Sequence, residues 1–299
     1  MRPFSALDRI PETPWLDKPA SALRKTVFKL LGRRKPRDVL HGVWLGHPLH
    51  PMVVQVPVGA FLSAGVVDAL PHRGRGERRA AESLIRVGLL ASLPATLSGA
   101  TDFAHGHEEQ QRTGLVHAVA NGIALTSYLL SLRWRAVGAE RAGRAAGWAG
   151  LLMTTAGGLM GGHLSYHQST GANHADAVPH IAPDGWTDLG AFDELPDRIP
   201  TRRTAGEVPV VVLRDGTALH VLADRCSHAS GPLHQGTVSW SAEGSPCLEC
   251  PWHGSVFRVS DGSVEHGPAT APQPGFHARV VDGRVQAVVR HFPGVPAGG

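Results

Sequence analysis

The sequence predicts a two-domain protein, an α-helical four-helix transmembrane bundle followed by a small all-β domain carrying two metal-ligating loops. Three observations carry that expectation. Residues 49–167 are rich in Ala, Gly and Leu and hold four apolar segments of 19–22 residues, Leu49–Leu70, Leu84–Phe103, Gly114–Leu132 and Ala145–Tyr166. Each is near the length that crosses a bilayer. Residues 184–292 instead run in short strand-like stretches punctuated by Pro and Gly, the pattern of an antiparallel β domain. Within them Cys226-Ser-His228 and Cys250-Pro-Trp-His253 repeat a Cys/His pairing, with 21 residues between His228 and Cys250.

Length and charge agree with this division. A chain of 299 residues suits two domains. The net charge of +4 is modest, and the Arg residues gather at the ends of the apolar segments. That placement suits a membrane surface and argues against nucleic acid. Three cysteines provide no disulfide framework.

Residues 1–45 read as a basic N-terminal tail with an amphipathic helix. Pro11, Pro14 and Pro19 keep its start irregular. Ser21 can cap a helix over residues 22–32, with Leu23, Val27, Leu30 and Leu31 on one face and Arg24, Lys25 and Lys29 elsewhere. Such a helix lies in a membrane interface or packs on its own domain. The first long apolar run begins after residue 48, too late for a signal peptide.

Residues 46–168 are the expected four-helix transmembrane domain. Small residues let helices approach closely, and Gly157/Gly161 and Gly158/Gly162 form two adjacent four-spaced pairs. Pro57 and Pro94 are expected to kink the first two helices. A soluble bundle would carry charges at helical spacing, which these segments interrupt for 15 residues or more. An up-down-up-down course places His47, His50, His105, His107, His117, His163 and His167 on one side and His72 on the other. His50, His117 and His163 are candidate ligands for haem b or another metal; the alternative is hydrogen-bonding glue between helices. There is no C-x-x-C-H, so covalent c-type haem is not expected. The run Gly46-His47-Pro48-Leu49-His50-Pro51, with Val56-Pro57-Val58-Gly59 and Asp68, resembles a family of small four-helix bacterial membrane proteins, domain of unknown function 2231. The resemblance spans about residues 45–168 and implies a membrane fold without a particular chemistry.

Residues 169–183 read as a linker whose His174 and His180 are solvated. Strands are expected over residues 208–213, 218–222, 256–259, 277–281 and 285–290, with Asp-Gly turns at 215–216, 261–262 and 282–283. They make a small barrel or sandwich that presents two loops at one end.

A Cys₂His₂ set serves either a structural zinc or an iron–sulfur cluster. Zinc fingers group their Cys and their His separately; here each loop carries one of each. The runs CSHASGPL (226–233) and CPWHGSVF (250–257) resemble the Rieske family, from about residue 184 to 291, within a domain expected over 184–292. The resemblance implies a 2Fe-2S cluster with Cys226 and Cys250 on the inner iron and His228 and His253 on the outer one. It implies neighbouring roles for Ser255 and Trp252. High-potential members carry an extra Cys in each loop and a Tyr near the cluster, where this chain has Gly231, Trp252 and Phe257. A low-potential, ferredoxin-like cluster is therefore expected. Cys247 is read as a buried free thiol.

The expected function is membrane-anchored single-electron transfer to or from a redox partner protein or a quinone. An electron-donating component of an oxygenase system and a cluster-based redox sensor are the alternatives. No catalytic residue is expected, because a Rieske oxygenase keeps its mononuclear iron in a further domain. Loop basic residues, eight on one side against six on the other, leave the orientation open; the basic stretch before the first helix and a cluster domain without a disulfide favour the cytoplasmic side for both termini and the Rieske domain of a multi-pass cell-membrane protein.

Overall fold

The computed structural model describes residues 7–71 and 74–291. His72, expected above on the side opposite the other histidines, lies outside the described residues, as does Arg73. The helices are α1 (Asp17–Leu30), α2 (Arg34–His41), α3 (His50–Val53), α4 (Gln55–Ala69), α5 (Arg75–Ala104), α6 (Glu108–Ala136), α7 (Glu140–Gly162) and α8 (Val178–Ile181). The strands are β1 (Thr187–Ala191), β2 (Thr201–Ala205), β3 (Val208–Asp215), β4 (Ala218–Ala223), β5 (Thr237–Trp240), β6 (Pro246–Glu249), β7 (Val256–Arg258), β8 (Val264–His266), β9 (Gly275–Val281) and β10 (Arg284–Val289). The chain divides into two units, residues 1–32 with 49–170, and residues 33–48 with 171–299.

The first unit is helical. α1 begins at Asp17, earlier than the Ser21 cap predicts, and Pro19 sits inside its first turn. Proline is tolerated there because that N–H has no helical acceptor. The buried Ala20 and Val27 of α1 face this unit, Phe28 meets His105 edge-on at 5.0 Å, and Arg24 Nε donates to the Ala104 carbonyl at 3.0 Å. The break between α3 and α4 falls at Val54, where Pro57 has no N–H to return to the Val53 carbonyl.

Three helical stretches, His50–Ala69, Arg75–Ala104 and Glu108–Ala136, are long and apolar enough to cross a membrane. The sequence reading expects four. The fourth helix, α7, forms but is not among them; glycine dilutes the apolarity of its uncharged stretch, residues 145–162. The helices turn Leu62, Val66, Leu90, Leu93 and Leu129 outward and keep Ala, Gly, Ser and Thr inside. Of the two four-spaced glycine pairs, Gly157 and Gly161 face Asn121 and His117, whereas Gly158 and Gly162 meet nothing within 4 Å.

Asp68 and Arg135 form a buried two-pronged ion pair. Arg135 Nη1 donates to Asp68 Oδ1 at 3.2 Å, its Nη2 donates to Oδ2, and its Nε donates to Ser131 Oγ at 3.2 Å. Arg135 follows the third apolar segment, Gly114–Leu132, where a charge is expected in a loop before the fourth; it lies instead in the last turn of α6, with its side chain fully buried.

The second unit is a two-sheet sandwich. All pairings within the sheets are antiparallel, in the orders β1-β10-β9-β4-β3-β2 and β5-β6-β7-β8. β3 is apolar on both faces. Val208, Val210 and Val212 enter one core with Leu195, Val221, Phe276 and Val285, while Val211 and Leu213 enter the other with Leu222, Leu248 and Phe257. Alternation of side chains along a strand produces this split. Residues read as a linker belong to the first of these cores: Val178 and Ala182, at the ends of α8, are buried in it. α2 also belongs to this unit. Asp38 accepts from His266 Nδ1 at 2.8 Å and from the Gly267 amide at 3.0 Å, and Arg34 pairs with Glu249 at 2.8 Å.

Candidate metal centre

The two Cys/His loops lie between strands, residues 224–236 joining β4 to β5 and residues 250–255 joining β6 to β7. They share one backbone frame. The Cys226 amide donates to the Gly231 carbonyl at 2.9 Å, and the Ser230 amide returns to the Cys226 carbonyl at 2.8 Å. In the second loop the Cys250 amide donates to the Ser255 carbonyl at 2.8 Å, and the Gly254 amide returns to Cys250 at 3.1 Å. The fourth residue after each Cys is left-handed, Ser230 at φ 62 and Gly254 at φ 76. Only Gly254 announces this in sequence, since glycine adopts that conformation without strain.

This frame aims amides at sulfur. The amides of His228 and Ala229 point to the Cys226 sulfur, and those of Trp252 and His253 to the Cys250 sulfur. Such N–H donors stabilise anionic sulfur. The Cys226 thiol hydrogen-bonds to Cys250, which pushes Cys226 well above the ordinary thiol range and lowers Cys250 to about 7. Both sulfurs belong to buried residues, while His228 and His253 are half-buried at the rim.

The histidine rings approach edge-to-face with centroids 5.0 Å apart. An imidazole bound at about 2.1 Å has its centroid about 3.2 Å from the metal, so two on one tetrahedral metal sit about 5 Å apart. The observed spacing fits two histidines on a shared ion. The complete donor set does not fit a single zinc. The ligands of one tetrahedral zinc lie about 3.3–3.8 Å from each other. Among the described residues, no three donors of this group come within 4.8 Å of one another. Two buried, hydrogen-bonded cysteines and two half-buried imidazoles suit a two-metal cluster.

A third segment, residues 267–273, braces both loops. Ser227 Oγ donates to the Ala271 carbonyl at 2.8 Å, the Ala269 amide donates to Ser255 Oγ at 2.9 Å, and Gln273 reaches beneath the first loop. Sequence reasoning missed this segment, because nothing in GPATAPQ resembles a ligand. The fully buried Ser255 thus acts on the brace, and Trp252, half-exposed, lies against Gly231 and meets the His253 ring at 6.5 Å. Phe257 is fully buried in the core below. Cys247 is also buried, with its sulfur 3.6 Å from the Ser245 carbonyl. Burial pushes its thiol up.

The candidate membrane histidines form two ring pairs. His50 and His117 meet edge-on, with centroids 6.4 Å apart. His50 Nδ1 bonds to the Ala95 carbonyl at 2.9 Å, and His117 Nδ1 to the Gly157 carbonyl at 2.9 Å. A carbonyl only accepts, so each Nδ1 carries a proton, and Asn121 donates to His117 Nε2 at 3.1 Å. His163 is stacked on His167 at 4.5 Å.

Comparison with known proteins follows the same division. Residues 185–291 match the Rieske [2Fe-2S] domain, and residues 46–174 match the family described as predicted membrane protein DUF2231. The chain is 36% identical over 104 residues to the anthranilate 1,2-dioxygenase ferredoxin subunit of Burkholderia cepacia, covering 35% of this chain and 92% of that protein. It is 32% identical over 95 residues to ferredoxin CarAc of Metapseudomonas resinovorans, covering 32% of this chain and 84% of the relative. Among solved structures, the ferredoxin of carbazole 1,9a-dioxygenase from Nocardioides aromaticivorans IC177 matches at 26% identity and a TM-score of 0.32, over 35% of this chain and 98% of that one.

Proposed function

The chain belongs to the Rieske [2Fe-2S] family, and from that premise we propose a membrane-anchored carrier of single electrons. Cys226 and Cys250 would hold the inner iron, and His228 and His253 the outer iron. The observation that carries this reading is the pair of half-buried imidazoles 5.0 Å apart together with two buried, hydrogen-bonded cysteines. Such a cluster supplies reversible one-electron transfer. The protein's part is to shield the sulfurs, aim four amides at them and keep the two histidines near solvent, where a partner can dock.

A low potential is supported by what surrounds the loops. Gly231 and Trp252 offer no cystine, and Phe257 offers no hydroxyl to the cluster. Fewer hydrogen bonds to the sulfurs leave the oxidised state favoured. Anchoring is supported by three apolar helices and their outward-facing Leu and Val. A multi-pass arrangement with the cluster domain in the cytoplasm fits the basic residues before the first span. Haem b has less support, because Asn121 already occupies the His117 Nε2. The bundle then serves as a bilayer anchor, with quinone as its candidate redox partner.

A second reading is favoured by the curated relatives. The Burkholderia cepacia relative is named as the ferredoxin subunit of a dioxygenase. The cluster domain would then deliver electrons to a separate oxygenase component.

Electron paramagnetic resonance of the dithionite-reduced protein in detergent tests both. A Rieske-type signal that disappears in Cys226→Ser and changes type in His228→Cys is expected. A spectrum of an all-cysteine cluster, or no signal in fully metallated protein, would overturn the assignment. Titration of that signal against dyes gives the potential.

A further inference from the structure

A second group of metal-ligating side chains lies in the helical unit, and the cluster reading does not use it. After Gly162 the last long helix loosens into a five-residue π turn, His163–His167, a feature frequent at functional sites. The turn stacks the two imidazoles with centroids 4.5 Å apart and planes 26° apart. Asp8, on the short turn Leu7–Arg9, reaches both rings. Its Oδ1 lies 4.0 Å from His163 Nδ1 and 3.8 Å from His167 Nε2. One donor atom from each residue falls within 4.8 Å of the others, and no other such set exists among the described residues.

Two further observations point to a ligand. The His163 side chain is 9% exposed; its Nδ1 faces Asp8, and its other ring nitrogen, Nε2, is buried with no hydrogen-bond partner. Buried polar atoms are nearly always satisfied, and an ion is one standard reason for an exception. The segment that brings Asp8 here is also fastened. Arg112 on α6 donates to both carboxylate oxygens of Asp17, at 2.6 and 3.0 Å, and to the Pro11 carbonyl at 2.5 Å.

We propose that Asp8, His163 and His167 form a binding site for one divalent first-row transition cation. Two imidazoles and one carboxylate are a mixed nitrogen–oxygen set suited to zinc, iron or cobalt rather than to magnesium or calcium. Bonds of about 2.0–2.2 Å place such donors about 3–3.5 Å apart. The observed 3.8 and 4.0 Å lie just outside that spacing. Asp8 and His167 are half-exposed, so water completes the coordination sphere. The site lies in the other unit from Cys226 and Cys250 and stands independently of the cluster.

The test uses the full chain in detergent, with its visible cluster spectrum intact, treated with a mild chelator and titrated with Co²⁺ and then Zn²⁺. One Co²⁺ per chain is expected, with a nitrogen–oxygen ligand-field spectrum that Zn²⁺ displaces. Asp8→Asn and His167→Asn, both at exposed positions, should each weaken binding by more than the roughly 10–100-fold typical of an outer-shell partner. The cluster spectrum should not change in either, and His180→Asn should bind as the parent does. Equal Co²⁺ affinity in the parent and both variants overturns the proposal and leaves a salt-bridged surface cluster. Loss of the iron–sulfur spectrum with Co²⁺ binding kept would count against the cluster reading and not against this site.

Discussion

Gln273 Oε1 accepts the backbone N–H of Ser227 at 2.9 Å, and the same side chain donates through Nε2 to the carbonyls of Ala223 at 2.7 Å and Arg225 at 2.5 Å. One buried amide therefore satisfies three backbone groups of the strand end and loop that deliver Cys226. A glutamine at 1% exposure is uncommon, and here its full use of donors and acceptors accounts for it. Gln273→Leu would strand those groups at about 1–3 kcal/mol each. The expected outcome is a lower melting temperature, followed by the cluster's visible absorbance, and a lower iron content as purified. An unchanged melting curve would remove Gln273 from this role.

Gly231 is required by space. A Cβ there would stand 2.7 Å from Cys250 Sγ and 3.2 Å from the Trp252 ring. Gly231→Ala should sharply reduce iron and acid-labile sulfide per chain. Gly158→Ala, where nothing lies within 4 Å, should leave both unchanged. Elemental analysis of the two variants side by side decides this, and equal iron contents would refute the crowding argument.

The Asp68–Arg135 pair predicts a non-additive mutant cycle. Removing one partner leaves a buried charge, at a cost of about 3–5 kcal/mol. Replacing both with apolar residues of similar volume is often neutral. Asp68→Asn and Arg135→Met should each unfold the helical unit at lower denaturant, while Asp68→Leu/Arg135→Met recovers most of the loss. Additive losses in the double variant would show that the pair does not act as a unit.

His220 predicts a pH dependence. Burial holds its pKa below the ordinary 6.5, partly offset by Asp215 and reinforced by Arg290. The unfolded chain therefore binds this proton more readily than the folded one. The histidine's contribution is fully present above the unfolded value and is lost as pH falls through the folded value. Denaturant titrations from neutral to mildly acid pH should show a steeper acid loss in the parent than in His220→Gln. Parallel slopes would exclude His220.

Legibility from sequence follows the range of the interaction. Features with a local period or spacing could be read. The unbroken apolar run of β3 signals burial on both faces, and the paired Cys/His loops announce a metal centre by their own composition. Features made by distant partners could not. Gln273 looks like a loop residue until it is seen under Ser227. Arg135 reads as a loop charge until Asp68, 67 residues away, is found opposite it. The left-handed turn at Ser230 carries no glycine. The start of α1 was hidden by Pro19, whose usual meaning reverses in a first helical turn.

Asp38 belongs, by its bonds to His266 and Gly267, to a domain whose strands are translated more than a hundred residues later. Residues 33–48 are therefore made before helices α3 to α7 and gain their partners only after them. During synthesis this segment has no fold of its own to join, and it must stay accessible until β8 leaves the ribosome. The same interleaving bears on dissection of the protein. A fragment cut at the end of the helical region would carry every cluster ligand and still lack the carboxylate that receives the Gly267 amide.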